Sequence, residues 1–248
     1  MQAASLVLLS QQHALQRAMD VVANNIANSN TTGFKRTGVE FDTMTMNPQA
    51  GQSLNFVVDR ATYRDTAPGP IQPTGNTLDF AIKGAGYFEV MGADNKVRYT
   101  RNGAFQLNNQ GQLTNLSGLP VLSDGGAPIT LPDTTTEINI SNDGFVTARI
   151  DHGTSLAEVG KIAVVKIDNQ QAMQAEGADL YTTNETPTPI DNSSGVVQGA
   201  LEHSNVQSVT EMTDMIKIYR SYEQATNLIS QENSRLNDAI TKLSKTTV

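Results

Sequence analysis

The chain of 248 residues contains no cysteine, no tryptophan and only three histidines. Without cysteine it can form neither a disulfide framework nor a thiolate site. The histidines, His13, His152 and His203, are far apart and lack the local pairing typical of zinc sites. Acidic residues outnumber basic ones by 25 to 17. This balance argues against nucleic acid as the main partner, because phosphate binding needs a basic face.

Long apolar runs are also missing. No segment approaches the roughly 18–20 apolar residues of a membrane-spanning helix, so we expect no direct membrane insertion. The apolar run 6–9 lacks the basic flank and the cleavage site of a signal peptide, which favours an amphipathic helix and, if the chain is exported, a route without a cleaved signal peptide. No Gly-x-Ser-x-Gly elbow occurs, and a predicted strand follows Gly84 and Gly86 where a phosphate-binding loop needs a helix. We therefore expect no catalytic residue, no metal and no cofactor.

An apolar stripe is present at each end of the chain, in the segments 5–28 and 208–243, which are predicted to be helical. Steps of three and four residues place each stripe on one side of its helix. The N-terminal stripe comprises Leu8, Leu15, Met19, Val22 and Ile26, with Gln12 as its polar exception. The C-terminal stripe comprises Met212, Met215, Tyr219, Tyr222, Ile229, Leu236, Ile240 and Leu243, interrupted by Thr226 and Asn233. Because such a stripe needs a partner in water, we expect the helices to pair like a coiled coil and then to contact other copies.

Between the helices the pattern changes to that of a β protein. From Leu78 onward apolar and polar residues alternate, and short strand candidates are separated by turn sequences such as Asn102-Gly103. The expected fold class is α+β, with paired terminal helices, an extended connector and a central all-β domain. The expected divisions are 1–33 with 206–248 for the helices, 34–77 with 195–205 for the connector, which holds one or two strands, and 78–194 for the β-rich outer domain.

Two smaller features have open interpretations. Ser208 and Glu211 have the spacing of a capping box, which predicts that the second helix begins there. Lys35-Arg36, with Arg60 and Arg64, forms a small basic cluster in an acidic chain. It is either a solvated part of the connector or one side of an ion pair between subunits.

Several motifs resemble those of the bacterial flagellar basal-body rod and hook family, and together they cover nearly the whole chain. The N-terminal motif runs through 22–28 and 31–35, the central motifs are 78–88 and 99–105, and the C-terminal motif lies within 199–223. The residues that carry the terminal signatures are Asn24, Asn25, Ala27, Asn28, Thr32, Gly33, Phe34, Lys35, Ser204, Asn205, Val206, Tyr222 and Glu223. Within that family, the segments 60–65, 117–122 and 198–202 are most similar to the proximal-rod subunit that adjoins the distal rod.

The resemblance implies a non-catalytic subunit that polymerises through its terminal helices into a helical tube. That tube would transmit torque and enclose the export channel. Implied partners are other copies, neighbouring rod proteins including the distal-rod protein, and the flagellar type III export apparatus. The implied location is the periplasm-spanning rod of the basal body. We expect the connector residues Phe41, Arg60, Tyr63 and Arg64 to contact neighbouring subunits, since aromatic and charged side chains give selective contacts.

Three alternatives remain at this point. The first is a distal-rod subunit, which usually has more residues after the Phe-Lys segment. The second belongs to a different class, a secreted β-rich glycan hydrolase, which would need a cleft with two carboxylates at catalytic separation. The third is an extracellular adhesin, which predicts a cleaved signal and stable monomeric helices.

Overall fold

The chain begins and ends in long helices that flank a β-rich middle, which confirms the predicted α+β arrangement. The structure, a computed structural model, describes residues 2–49, 52–150, 156–177, 179–190 and 194–245. The side chains at 2–4, 47–49, 52–54 and 243–245 lie outside that description, and with them the predicted interface residue Leu243.

The described residues form two compact units. One consists of 1–27, 36–65 and 206–248 and is called the helix–hairpin unit; the other consists of 28–35 and 66–205 and is called the β unit. The three-part division drawn from the sequence, with a separate connector, stays a prediction beside this description.

The helix–hairpin unit contains helices α1, Gln2–Ala27, and α2, Ser208–Lys245, which pack against each other. At 1.5 Å per residue they are roughly 39 and 57 Å long. Strands β1, Thr37–Gln49, and β2, Gln52–Arg64, form an antiparallel hairpin. The hairpin lies against α1, where the Ser10 hydroxyl accepts a hydrogen bond from the Val57 amide at 3.3 Å.

The hairpin is the largest difference from the sequence-based expectation of an extended connector. A register shift between Glu40 and Phe41 interrupts the period of two, and most side chains at 40–46 and 58–63 are exposed. A strand that buries little has no need of strict alternation, so the pattern that reveals strands was weak here.

The β unit consists of short strands joined by tight turns. They are β3 Ile71–Pro73, β4 Phe80–Lys83, β5 Tyr87–Met91, β6 Val97–Thr100, β7 Phe105–Leu107, β8 Leu113–Asn115, β9 Thr135–Ile140, β10 Phe145–Ile150, β11 Leu156–Lys161, β12 Val164–Lys166, β13 Gln174–Gly177, β14 Leu180–Thr182, β15 Thr188–Pro189, β16 Gly195–Gln198 and β17 Ala200–Glu202. A six-stranded sheet has the order β13-β14-β6-β5-β12-β15, and β9, β10 and β11 form a second sheet. The predicted strands at 87–91 and 97–100 are confirmed with the same bounds.

The core of the β unit is organised around three phenylalanines. The ring of Phe105 lies 5.6 Å from that of Phe80 and 5.3 Å from that of Phe88, and all three side chains are buried. Gly103 is required beside them, because a Cβ at this position would overlap the carbonyl oxygen of Phe80. The predicted turn at Asn102-Gly103 therefore also serves a close approach of two backbone segments.

Candidate functional site

The facing sides of α1 and α2 form the first candidate site, and the structure divides the predicted stripes into two groups. One group is buried or half-buried, namely Leu8, Leu15, Met19, Val22, Ile26, Met215, Tyr222, Ile229 and Leu236. The other group, Met212, Tyr219 and Ile240, is more than half exposed. The structure therefore does not place the whole predicted C-terminal stripe on one buried seam.

Small residues complete the buried side of the helix pair. Ala14 and Ala225 are both buried, and Val21 lies beside Val22 at the same depth. These positions were missed because alanine is weakly apolar and the stripes were drawn through large side chains. Their signal in the sequence is the same spacing of three and four residues.

A polar contact crosses the helix pair at Gln12. Its side-chain amide donates to the Tyr222 hydroxyl at 3.1 Å and to Thr226 Oγ1 at 3.3 Å. The two polar interruptions predicted in opposite helices, Gln12 and Thr226, therefore meet. A polar pair among apolar contacts favours one register, since any shift leaves these groups without each other.

A buried polar cluster joins the last turns of α1 to the first turn of α2 in the helix–hairpin unit. Asn25, fully buried, donates to the Thr37 carbonyl at 2.8 Å and to the Glu211 carboxylate at 3.0 Å, and it accepts from the Thr37 amide at 3.0 Å. Arg36 Nε donates to the other Glu211 oxygen at 2.5 Å. This hydrogen bond raises the pKa of Arg36 above its ordinary value, so the guanidinium stays charged.

The same cluster revises the predicted capping box. The sequence pattern has Glu211 reach back to the start of its own helix, whereas in the structure its carboxylate binds Asn25 and Arg36. Glu211 is 1% exposed, and a buried carboxylate needs a cation more than it needs a backbone amide.

Replacing Asn25 with alanine is expected to lower the free energy of unfolding of the helix–hairpin unit by about 3 kcal/mol, because three hydrogen bonds of about 1 kcal/mol each are lost. Helicity followed by circular dichroism during thermal unfolding measures the change. Gln16→Ala, which removes an exposed amide from the same helix, is the control and should change the value by less than about 0.5 kcal/mol. Equal effects of the two substitutions would contradict the role given to Asn25.

A second ion cluster lies in the β unit, around Glu202. Its two carboxylate oxygens accept from Lys35 Nζ at 2.6 Å and from Arg101 Nε at 2.5 Å, and all three side chains are at most 5% exposed. The Gly69 amide adds a third hydrogen bond at 2.9 Å. The remaining Arg101 nitrogens donate to the backbone carbonyls of Ile82, Gly84 and Gly86.

The electrostatics of this cluster favour ionised Glu202. Burial alone would raise the pKa of its carboxyl group, but the charge of Arg101, and then the hydrogen bond and charge of Lys35, outweigh burial. The pKa of Glu202 is therefore below its ordinary value. Two of the basic residues that the sequence left open, Lys35 and Arg36, thus pair with carboxylates of their own chain.

Several signature residues hold the same part of the β unit. The Gly33 amide donates to the Glu202 carbonyl at 2.8 Å, and Gly33 has a φ of 73°, which favours glycine. A Cβ at this position would also meet the backbone at Arg101 at 2.7 Å. The Asn205 side chain donates to the Ala67 carbonyl at 3.0 Å. These signature positions therefore fix backbone geometry and carry no chemistry of a reaction.

The connector residues belong to the hairpin and its end. Phe41 and Tyr63 are 37% and 45% exposed, and Arg60 forms an exposed ion pair with Glu40 at 3.4 Å. Arg64 is the last residue of β2 and is half-buried. Their predicted role in contacts with neighbours stays a prediction.

The largest cavity in the described residues of the β unit is an open cleft of about 360 Å³. Its lining includes the carboxylates Asp133 and Glu137. Both are exposed, and Glu137 pairs with Arg149 at 3.2 Å. A general acid in a hydrolase needs a carboxyl group shielded from water, so this cleft gives the hydrolase alternative no support.

Two searches of the described residues bear on other functions. No group of three histidine, cysteine, aspartate or glutamate side chains in them is arranged to hold a metal ion. Neither of the described helices is long and apolar enough to cross a membrane.

Comparison with known proteins gives matches along the whole chain. Residues 6–35 match the flagella basal body rod protein family, residues 81–148 the flagellar hook protein FlgE/F/G D1 domain, and residues 197–242 the flagellar basal body rod FlgEFG protein C-terminal family. The chain is 37% identical to flagellar basal-body rod protein FlgF of Caulobacter vibrioides, with 96% of each chain covered. It is 36% identical to FlgF of Mesorhizobium japonicum, with 98% of each covered, and 33% identical to flagellar basal-body rod protein FlgG of Agrobacterium fabrum, with 88% of this chain and 90% of that one covered.

Proposed function

Because the chain belongs to the flagellar basal-body rod family and is a structural subunit of that rod, we propose that it occupies the proximal rod, next to the distal rod. Its length supports this position. The match to the FlgF proteins covers 96–98% of both chains, whereas the FlgG proteins of Agrobacterium fabrum and Bacillus subtilis match 88% and 94% of this chain. A distal-rod subunit is the second candidate.

The observation that carries the proposed assembly is the helix pair with apolar side chains on both its inner and its outer surface. The inner side chains, such as Leu15 and Ile229, support coiled-coil packing of α1 with α2. The outer ones, such as Met212 and Ile216, would be covered only by further subunits. Repetition of a contact between two different surfaces builds a helical filament, and such a tube can transmit torque and enclose a channel.

The partners we propose are other copies of this chain, neighbouring rod proteins including the distal-rod protein, and the flagellar type III export apparatus. Passage through a narrow export channel requires an unfolded chain. A sequence without cysteine suits that route, because no disulfide can form before assembly. The location that follows is the periplasm-spanning rod, reached without a cleaved signal peptide.

We propose that the helices supply affinity for the tube, while residues 34–77 and the surface of the β unit select the neighbours. Apolar helix surfaces are chemically generic, whereas exposed Phe41, Arg60 and Tyr63 on the hairpin can be matched or mismatched by a partner. The sequence supports this division, and an exchange of segments between rod proteins tests it.

A chimera with the terminal helices of another rod protein and residues 34–205 of this chain is expected to keep this protein's position along the rod. The measurement is its location in purified basal bodies by electron microscopy with a labelled β unit. The reciprocal chimera, with these helices and the other protein's middle, is the control and should take the other position. If position instead follows the helices, neighbour selection lies in them.

A further inference from the structure

One flank of α2 has a row of exposed apolar side chains that no described residue covers. Val209 is 79% exposed, and Met212, Ile216 and Tyr219 are each 53–54% exposed. The steps of three, four and three residues place all four on one strip of the helix surface, here called the stripe. Most of this strip was not separated from the buried seam by sequence periodicity, because both run along the same helix.

A groove with an apolar lining lies elsewhere on the helix–hairpin unit. It has a volume of about 250 Å³ and lies between α1, α2 and the base of the hairpin. Its apolar lining is Ala18, Val21, Val39, Phe41, Tyr63 and Ile218. The ion pair between Lys217 and Asp214, at 2.9 Å, borders the groove on α2. Small-molecule pockets have roughly 300–1,000 Å³, so this groove suits one or two apolar side chains better than a ligand.

The stripe and the groove are on opposite sides of α2. With 3.6 residues per turn, the stripe positions 209, 212, 216 and 219 and the groove positions 214, 217 and 218 point about 170° apart around the helix axis. The buried seam, which includes Met215 and Tyr222, lies between them and faces α1. One copy can therefore use both surfaces at once, each toward a different neighbour.

We propose that the stripe of one copy packs into the groove of the next copy, so that this contact repeats along the assembly. The occupant is a second copy because the chain itself has both halves, an apolar knob and an apolar recess. Their opposite directions prevent closure into a two-fold dimer and give an open chain of subunits. The inference rests on the proposed function and names the surfaces through which that rod subunit contacts its own copies.

Cysteine cross-linking tests the contact, because introduced thiols are the only ones in this chain. Two differently tagged forms, Ala18→Cys in the groove and Ile216→Cys in the stripe, are produced together in cells that lack the natural copy. Basal bodies are purified and oxidised. Since a disulfide requires Cα atoms within about 7 Å, we expect a dimer carrying both tags at about ten times the level seen with either form alone.

The matched control pairs Ala18→Cys with Leu228→Cys. Leu228 is 50% exposed, as Ile216 is 54%, but it lies about 18 Å farther along the helix and on another side. This pair should give no dimer above the level of the single forms. Swimming of the cells shows that each cysteine form still builds a rod.

Different failures have different meanings. If both forms are present in purified rods and no dimer with both tags exceeds the control, the stripe-to-groove contact is wrong while the rod function stands. A disulfide from Ile216→Cys to a different rod protein would overturn the choice of a second copy as occupant. Absence of the chain from purified rods would contradict the proposed function, and the inference with it.

Discussion

Leu15→Asp is expected to abolish swimming while the β unit stays folded. Leu15 is half-buried on the side of α1 that packs against α2. A carboxylate placed there loses water without gaining a cation, which costs at least about 3 kcal/mol. A helix pair that depends on tertiary packing in water cannot absorb such a loss. Ile229→Asp, half-buried on α2, should have the same effect.

The measurements are swimming in soft agar, the amount of rod in purified basal bodies, and calorimetric unfolding of the isolated chain. The control is Gln16→Asp, which introduces the same charge at the adjacent, exposed position of α1. It should swim normally, and all three variants should keep the unfolding transition of the β unit. Normal rods from Leu15→Asp would show that this side of α1 is not buried in the assembly.

The parts of the fold that the sequence predicted well have strong periodic signals. The two helices extend over several turns with a repeated apolar spacing, and β5 and β6 are short alternating runs between turn residues. In each case the same side chains define both the local structure and the buried surface. Local pattern and packing then agree, and the pattern is sufficient.

Long-range polar contacts were not predictable in this way. Glu202 meets Lys35 across 167 positions, and Glu211 meets Asn25 across 186. No local spacing relates such residues, and a charged residue is usually on the surface, so burial was not expected. The hint available in the sequence was that Lys35 and Glu202 are within the motifs that define the family resemblance. Why those motifs contain charges became clear only when the clusters were seen.

The hairpin failed for a different reason. Its residues alternate poorly because both faces are largely exposed and a register shift lies in β1. A two-stranded sheet with few buried side chains is marginal in water by itself. The absence of a buried face on the isolated chain is therefore consistent with a hairpin that gains contacts on assembly, and periodicity within one chain cannot reveal those contacts.

Glu202→Gln is expected to destabilise the β unit by about 3–5 kcal/mol, because it leaves Lys35 and Arg101 buried without a counter-charge. At roughly 2–4 °C per kcal/mol for a chain of this size, the unfolding temperature of the β unit should fall by about 10 °C. Glutamine keeps the size of the side chain, so lost charge and not lost volume explains the change. Calorimetry of the isolated chain at neutral pH measures it.

The control Glu89→Gln should act in the opposite direction. Glu89 is also partly buried in the β unit, but burial, and then the charge of Asp124, raises the pKa of its carboxyl group. Its ionised form is disfavoured in the folded chain, so neutralising it should leave stability unchanged or increase it. If both variants lose the same stability, the effect would not come from the charge of Glu202.

Acid titration should distinguish the two carboxylates by sign. The pKa of Glu202 is lower in the folded than in the unfolded chain, so its stabilisation is complete above the unfolded value near 4.5 and is lost as the pH falls through the folded value. The deficit of Glu202→Gln relative to the natural protein should therefore shrink below about pH 4.5. Glu89 has a raised pKa, so its penalty exists at neutral pH and is relieved as the pH falls through that raised value. A Glu202→Gln deficit that stays constant from neutral pH to pH 2 would mean that the ionised carboxylate does not hold Lys35 and Arg101 in place.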